Sequence, residues 1–315
     1  MARKVILDVD PGIDGAVALA MALFDPRLDV VAVTAVAGNV SASQATRNVQ
    51  AIIEQLDPPR WPRIGAAVEP ERSPVIDRRE LHGPDGLAGV GFATAELHHR
   101  HLSEKVIVDE IRQTPDLLTV LTLGPLTNIA LVLQREPALA AQIGHLVMSG
   151  GTVKAPGDVT PLAEFAMYCD PLSARIAFRS HATKTLVPLD VSTQAMLTYG
   201  HLDQLPDESS RVGRFLRKIL PYAFRQYHQR VGLEHLLLHD AVAVAALTNP
   251  ELFTPQTLAG DVETTGELTS GTTVLDRRRP TDSRGNMEVL LEVDGPAVID
   301  VILRSLNEAA KLSAD

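Results

Sequence analysis

Residues 28–36, LDVVAVTAV, are apolar save Asp29 and Thr34 and show no regular polar alternation, and a similar run, KVILDV at 4–9, precedes them across an Ala-rich helical stretch from Asp14 to Phe24. A strand with one wet face alternates polar and apolar residues, whereas a run without that alternation needs cover on both faces. A second helical segment, ATRNVQAIIEQL, follows the GNVSAS loop and stops before Pro58. Strand, helix, strand, helix in this order demands a parallel sheet sandwiched between helices. Further buried strands are predicted in LLTVLTL (117–123), HLVMSGG (145–151) and TKTLVPLDV (183–191), and a helix opens at Pro125 and runs to Arg135. Helices are also predicted over 209–231, 239–248 and 295–312, with antiparallel-type strands over 258–293. No repeat or linker interrupts the chain. The expectation is one α/β domain over 1–315, with a mixed, mostly parallel central sheet flanked by helices.

Composition narrows the function classes. Hydrophobic residues make up 45% of the 315 positions and charged residues 22%, enough apolar surface for a core and no signature of disorder. A formal net charge of -10, from 29 basic and 39 acidic side chains, argues against nucleic acid as a partner. No run approaches the roughly 18 apolar residues of a membrane span, so no membrane partner is expected. The single cysteine, Cys169, has no partner for an internal disulfide, and MARKVILDVD leads straight into a strand, so a cytoplasmic location is expected. Cys169 has no basic neighbours to lower its pKa and reads as a buried, inert thiol. The His98, His99, His101 group sits in a charged HHRH run and reads as solvated surface.

The chemistry-bearing segment is DVDPGIDG, where the first strand ends and its helix begins. Ligands of open α/β sheets gather at the carboxyl ends of strands, so Asp8, Asp10 and Asp14 stand where a site belongs. Asp8 and Asp10 are expected on one strand face, and Asp14 at the helix start. As scaffold residues, Asp14 would be an N-cap and Asp8 a buried hydrogen-bonding group, which accounts for two acids of three. Three carboxylates so close favour a cation or a cationic substrate, and oxygen donors suit Ca²⁺ or Mg²⁺. His239, before Asp240 at the start of an apolar helix, reads either as a proton donor or as half of a helix-capping pair. His82, in the Gly-rich loop LHGPDG, reads more simply as a solvated loop histidine. The 57–95 stretch around it is rich in Pro, Gly and charge, and reads as a long functional loop.

DVDPGIDGAVAL resembles the DxDPGxDDAxAL opening of the inosine–uridine nucleoside hydrolase family. The resemblance continues through GNV at 38–40, LGPLTNIA at 123–130, GGTVKAPGDVTPLAEF at 150–165, DP at 170–171 and HD at 239–240. It implies a hydrolase that cleaves the N-glycosidic bond of a nucleoside or modified riboside, in a homodimer or homotetramer. By the same resemblance Asp10 is the general base and a Ca²⁺ ligand, and the Leu123 carbonyl and Asp240 are further ligands. Asp14, Asn39, Glu164, Phe165 and Asp158 would hold the sugar, His82 would lie in the active-site loop, and His239 would face the leaving base. The chain departs from the family at Gly15, where a calcium-ligating Asp belongs, and Asp8 is a candidate to fill in. It departs again at Ser149 for Met, at Asp158 for the Asn of GN, and at Ala166 for the Asn of EFN. These changes fall in one pocket, and they leave two other readings: a relative repurposed for another glycoside, or a catalytically silent riboside-binding protein.

Overall fold

A computed structural model describes residues 2–70, 76–95, 101–278 and 284–314. Among the described residues the strands are β1 (Arg3–Val9), β2 (Leu28–Ala35), β3 (Arg63–Ala66), β4 (His101–Leu102), β5 (Thr119–Leu123), β6 (His145–Ser149), β7 (Lys184–Val187), β8 (Met196–Thr198), β9 (His235–Leu237), β10 (Phe253–Val262), β11 (Thr273–Asp276) and β12 (Met287–Val293). The helices are α1 (Ile13–Ala22), α2 (Ala42–Leu56), α3 (Arg79–His82), α4 (Ser103–Gln113), α5 (Thr127–Arg135), α6 (Phe165–Cys169), α7 (Pro171–Arg179), α8 (Leu189–Ser192), α9 (Arg211–Gln226), α10 (His239–Thr248) and α11 (Gly295–Leu312). Ten strands form one sheet in the order β11-β10-β12-β7-β6-β5-β1-β2-β3-β4, and β8 and β9 pair separately. The pairs from β12 through β7 to β4 are parallel; β10 runs antiparallel to β12 and to β11. The expected mixed, mostly parallel sheet flanked by helices is therefore the observed one.

Both faces of the sheet are covered, which is why its central strands carry no polar alternation. Val5, Leu7 and Val9 of β1 join one core with α1, α9, α10 and α11, while Ile6 joins a second core with residues of α4, α5 and α7. Helix α1 is almost wholly apolar and almost wholly buried, so it has no wet stripe. Helix α2 is amphipathic, with Ser41 accepting from the Gln44 amide as N-cap. Among the described residues no helix is long and apolar enough to cross a membrane. The predicted helix over 209–231 ends its α-helical part at Gln226 and closes in a π turn over Tyr227–Val231. The antiparallel region starts at Phe253 rather than 258, because the exposed first half of β10 lacks the apolar alternation that marks a strand. His98 and His99 lie outside the described residues, and His101 is exposed on β4.

Asp8 shares the Ile6 face of β1 rather than the site. Its Oδ1 accepts from Thr34 Oγ1 of β2 at 2.6 Å and from Asn128 Nδ2 of α5 at 2.7 Å, and Asn128 also donates to the Ala35 carbonyl at 2.9 Å. Asp8 thus fastens β1 to β2 and α5 and is not placed to replace a ligand at Gly15. The expectation that it flanks Asp10 fails because the strand pleat ends at Val9, after which Asp10 turns the other way. Burial pushes the Asp8 carboxyl up to about 6, against hydrogen bonds from Thr34 and Asn128 that lower it, and its Oδ2 has no partner.

An acid held above its unfolded pKa keeps a proton in the native state between the two values, so its contribution to stability is lost as pH rises from about 4 to about 6. For a shift near two units the loss is at most about 3 kcal/mol. Urea unfolding across that window should show wild type losing stability relative to Asp8→Asn. Parallel curves for the two proteins would rule out Asp8 as the source.

Candidate active site

The chain leaves β1 toward β2, β3 and β4 on one side, then returns to place β5 on the other, so strand order reverses between β1 and β5. At such a reversal the loops leaving the two carboxyl ends diverge and open a crevice. Val9 and Leu123 are paired at these ends, and the residues beyond them, Asp10 and Gly124, line a cavity of ≈ 60 Å³.

Asp10 is packed between two glycine backbones. A Cβ on Gly124 would lie 2.8 Å from the Asp10 Cγ, and one on Gly38 would overlap its Oδ2. Asn39 holds Asp10 from the β2 side: its amide N–H donates to Asp10 Oδ2 at 3.1 Å and its side chain to the Asp10 carbonyl at 2.8 Å. Burial pushes the Asp10 carboxyl well up, Glu164 adds to this, and the Asn39 amide and the Arg78 guanidinium oppose it.

Asp14, in the first turn of α1, reaches across to α10, where Oδ2 accepts from the Asp240 amide at 3.0 Å. It therefore caps a different helix from its own. Its Oδ1 is buried without a partner, and burial pushes the carboxyl up to about 7. Asp240 is driven well above the usual carboxylate range by burial and by Asp14, Asp10 and Glu164, while a hydrogen bond with the Ser149 side chain lowers it. Glu164 caps α6: Oε1 accepts from the Ala166 amide at 2.8 Å, and Oε2 from the Gly151 and Met167 amides at 2.8 and 3.2 Å. Gly150, at φ +126, makes room for it, since a Cβ there would lie 2.7 Å from Oε2. Burial and Asp158 push Glu164 up to about 7.

The two histidines depart from their expected surroundings. His82 is buried, not solvated, and its Nδ1 accepts from the Ile13 amide at 3.1 Å. Gly12 permits this approach, because a Cβ there would come within 2.9 Å of the ring. Burial pushes His82 down to about 3. His239 sits at the start of α10 with Nδ1 2.7 Å from Ser192 Oγ, and burial pushes it down to about 4. It is therefore a neutral imidazole near pH 7 rather than an imidazolium.

Asp10, Asp14, Asn39, His82, Leu123, Asp158, Glu164, Phe165, His239 and Asp240 all line the cavity; Asp8 does not. The sequence reading missed Arg78, Ser192 and Tyr227, which line it too. Tyr227 comes from the π turn and donates to the Leu237 carbonyl at 3.3 Å. Cys169 is buried, and burial with the nearby Asp10 and Glu164 pushes its thiol well up, away from a reactive thiolate.

The donors present suit a hard divalent cation in kind: Asp10, Asp240 and the Leu123 carbonyl are oxygens, and the unpartnered Asp14 Oδ1 leaves negative charge uncompensated. They are few in number. Among the described residues no three His, Cys, Asp or Glu side chains gather closely enough to hold a metal between them.

Comparison with known proteins gives the family and the fold. The family profile described as inosine-uridine preferring nucleoside hydrolase matches residues 5–300. The chain is 39% identical over 294 residues to the non-specific ribonucleoside hydrolase RihC of Salmonella enteritidis PT4, covering 92% of this chain and 93% of that one. It is 39% identical over 297 residues to RihC of Escherichia coli O7:K1, covering 93% and 95%. Its fold superposes on the purine-preferring ribonucleoside hydrolase from Gardnerella vaginalis with a TM-score of 0.91 at 29% identity, covering 98% and 100%.

Gly15 is where the donor set can be tested. A Cβ there would lie 3.4 Å from Asp240 Oδ2 and 2.9 Å from the Val9 Cγ2 methyl, which must shift to admit it. Gly15→Asp should therefore bind Ca²⁺ at least about tenfold more tightly than wild type in calorimetric titration, since affinity follows ligand charge and number. Equal affinity would show that position 15 does not face the cation.

Proposed function

Because the chain belongs to the inosine–uridine preferring nucleoside hydrolase family and is an N-glycosyl hydrolase, we propose that it splits the base from the ribose of nucleosides with Asp10 as general base. The observation that carries this is the convergence of Asp10, Asp14, Leu123 and Asp240 on one cavity at the β1/β5 reversal, where an open α/β sheet puts its ligand. Relatives that match this chain over nearly their whole length are named ribonucleoside hydrolases, so a different glycoside or a silent binding protein is not favoured.

In the reaction a water oxygen bonds to the anomeric carbon, the bond to the base nitrogen breaks, and its electron pair leaves with the base. Asp10 takes the proton from the water. Burial raises its pKa, so in its ionised form the carboxylate is a stronger base than an exposed one. The Asn39 contacts and the flanking glycines fix the carboxylate, so little reorganisation is needed. Asp14 and Asn39 bind sugar hydroxyls, and the buried acids around them stabilise positive charge as it develops on the ribosyl ring. The His239 ring N–H faces the leaving base, with Ser192 setting its orientation. Asp10, Asp240 and the Leu123 carbonyl would hold a calcium ion, which when bound makes a water more acidic and orients it.

Asp10→Asn keeps the shape and the Asn39 contacts but cannot accept a proton. Turnover on inosine and uridine should fall about 10²- to 10⁴-fold with the unfolding midpoint nearly unchanged. Near-wild-type kcat in this variant would exclude Asp10 as the base.

A further inference from the structure

We propose that Arg78 is a substrate-binding, specificity-determining residue whose guanidinium donates to a sugar hydroxyl in the region where Ala166 carries no side-chain amide. The proposal rests on the nucleoside hydrolase reading. Arg78 precedes α3, and its backbone N–H donates to the Asn39 carbonyl at 3.2 Å, which ties it to the loop holding Asp10. Its side chain is only 14% exposed and runs into the cavity beside Asp10, Glu164 and Ala166.

Two contacts hold the guanidinium. Nη2 lies 2.7 Å from Asp158 Oδ2, and the Phe165 ring lies beneath it at 4.5 Å. Asp158 is fixed in turn, since its Oδ1 accepts from the Phe165 amide at 2.9 Å. Among the described residues Asp158 is the one side chain paired with the Arg78 guanidinium, which has five N–H donors. Arg78 lines the cavity together with Phe165 and Ala166, so the N–H groups that Asp158 does not engage are there to meet a ligand. An amide side chain at 166 would have supplied two such donors; here Arg78, coming from another element, supplies them instead.

The charge balance explains position 158. Hydrolysis builds positive charge on the sugar, and an unpaired guanidinium beside it would raise the barrier. An acid at 158 cancels that charge while leaving the N–H groups available, so Asp158 acts as a positioning residue for Arg78. Its two oxygens are already engaged, by Phe165 and Arg78.

The test is a coupling between side chain and hydroxyl. Wild type, Arg78→Lys and the double variant Arg78→Met with Asp158→Asn are assayed for kcat/KM on inosine and on its 2′-, 3′- and 5′-deoxy analogues. The double variant leaves no unpaired buried charge, and Arg78→Lys keeps Asp158 paired if the double variant does not fold. A hydrogen bond from a charged donor predicts that removing one particular hydroxyl costs wild type about 10- to 100-fold. The same deletion should cost the double variant less than about threefold, and Arg78→Lys an intermediate factor. A purely structural Arg78 would instead lower all four substrates by one common factor. Equal costs of every deletion in wild type and variants would overturn the role of Arg78 alone, while a wild type that cleaves no nucleoside would overturn the hydrolase reading and this inference with it.

Discussion

The reversal of strand order between β1 and β5 is the constraint on which the rest of the site depends. Because β2 and β5 lie on opposite sides of β1, the segments leaving Val9, Ala35 and Leu123 part company and cannot cover their own strand ends. The gap is filled by residues brought from afar: α10 from the C-terminal third, the α6 cap, and the segment before α3. Asp8 secures the foundation from the opposite face, clamped by Thr34 and Asn128, so that Asp10 projects from a strand whose register cannot slip without breaking two buried hydrogen bonds.

Upon that scaffold the dominant energy is electrostatic. Asp10, Asp14, Asp158, Glu164 and Asp240 share the cavity with Arg78, and burial raises the pKa of Asp10, Asp14, Glu164 and Asp240. Backbone amides offset part of the cost: Asn39 for Asp10, the first turn of α10 for Asp14, and three amides for Glu164. Such a site is poised to receive positive charge, whether from a cation or from a sugar on its way to an oxocarbenium ion.

Much of this was legible in the chain because the relevant signals are local. Apolar runs without polar alternation fixed β1, β2, β5 and β6 within a few residues, and the acids beyond β1 were found from their position at a strand end. Asp14 and His82 were harder. Each reads as a local feature, an N-cap of its own helix or a solvated loop residue, yet each bonds a backbone amide distant in sequence: Asp240 from Asp14, and Ile13 from His82. Arg78 lay beyond reach, since an arginine in a loop rich in proline and charge carries no period, and only the fold reveals that Phe165 and Asp158 wait for it. Tyr227 and Ser192 were invisible for the same reason, as they line the cavity only through the π turn and the short helix α8.

The raised pKa values of the buried acids have a thermodynamic corollary. Asp14 and Glu164 are both pushed up to about 7, so near neutrality the free protein carries them as a partly protonated set. Any guest that prefers these acids ionised must expel protons as it enters, and the surrounding solution takes them up. The heat measured on mixing then contains the ionisation enthalpy of the buffer, and differs between phosphate and Tris at the same pH although the complex formed is the same.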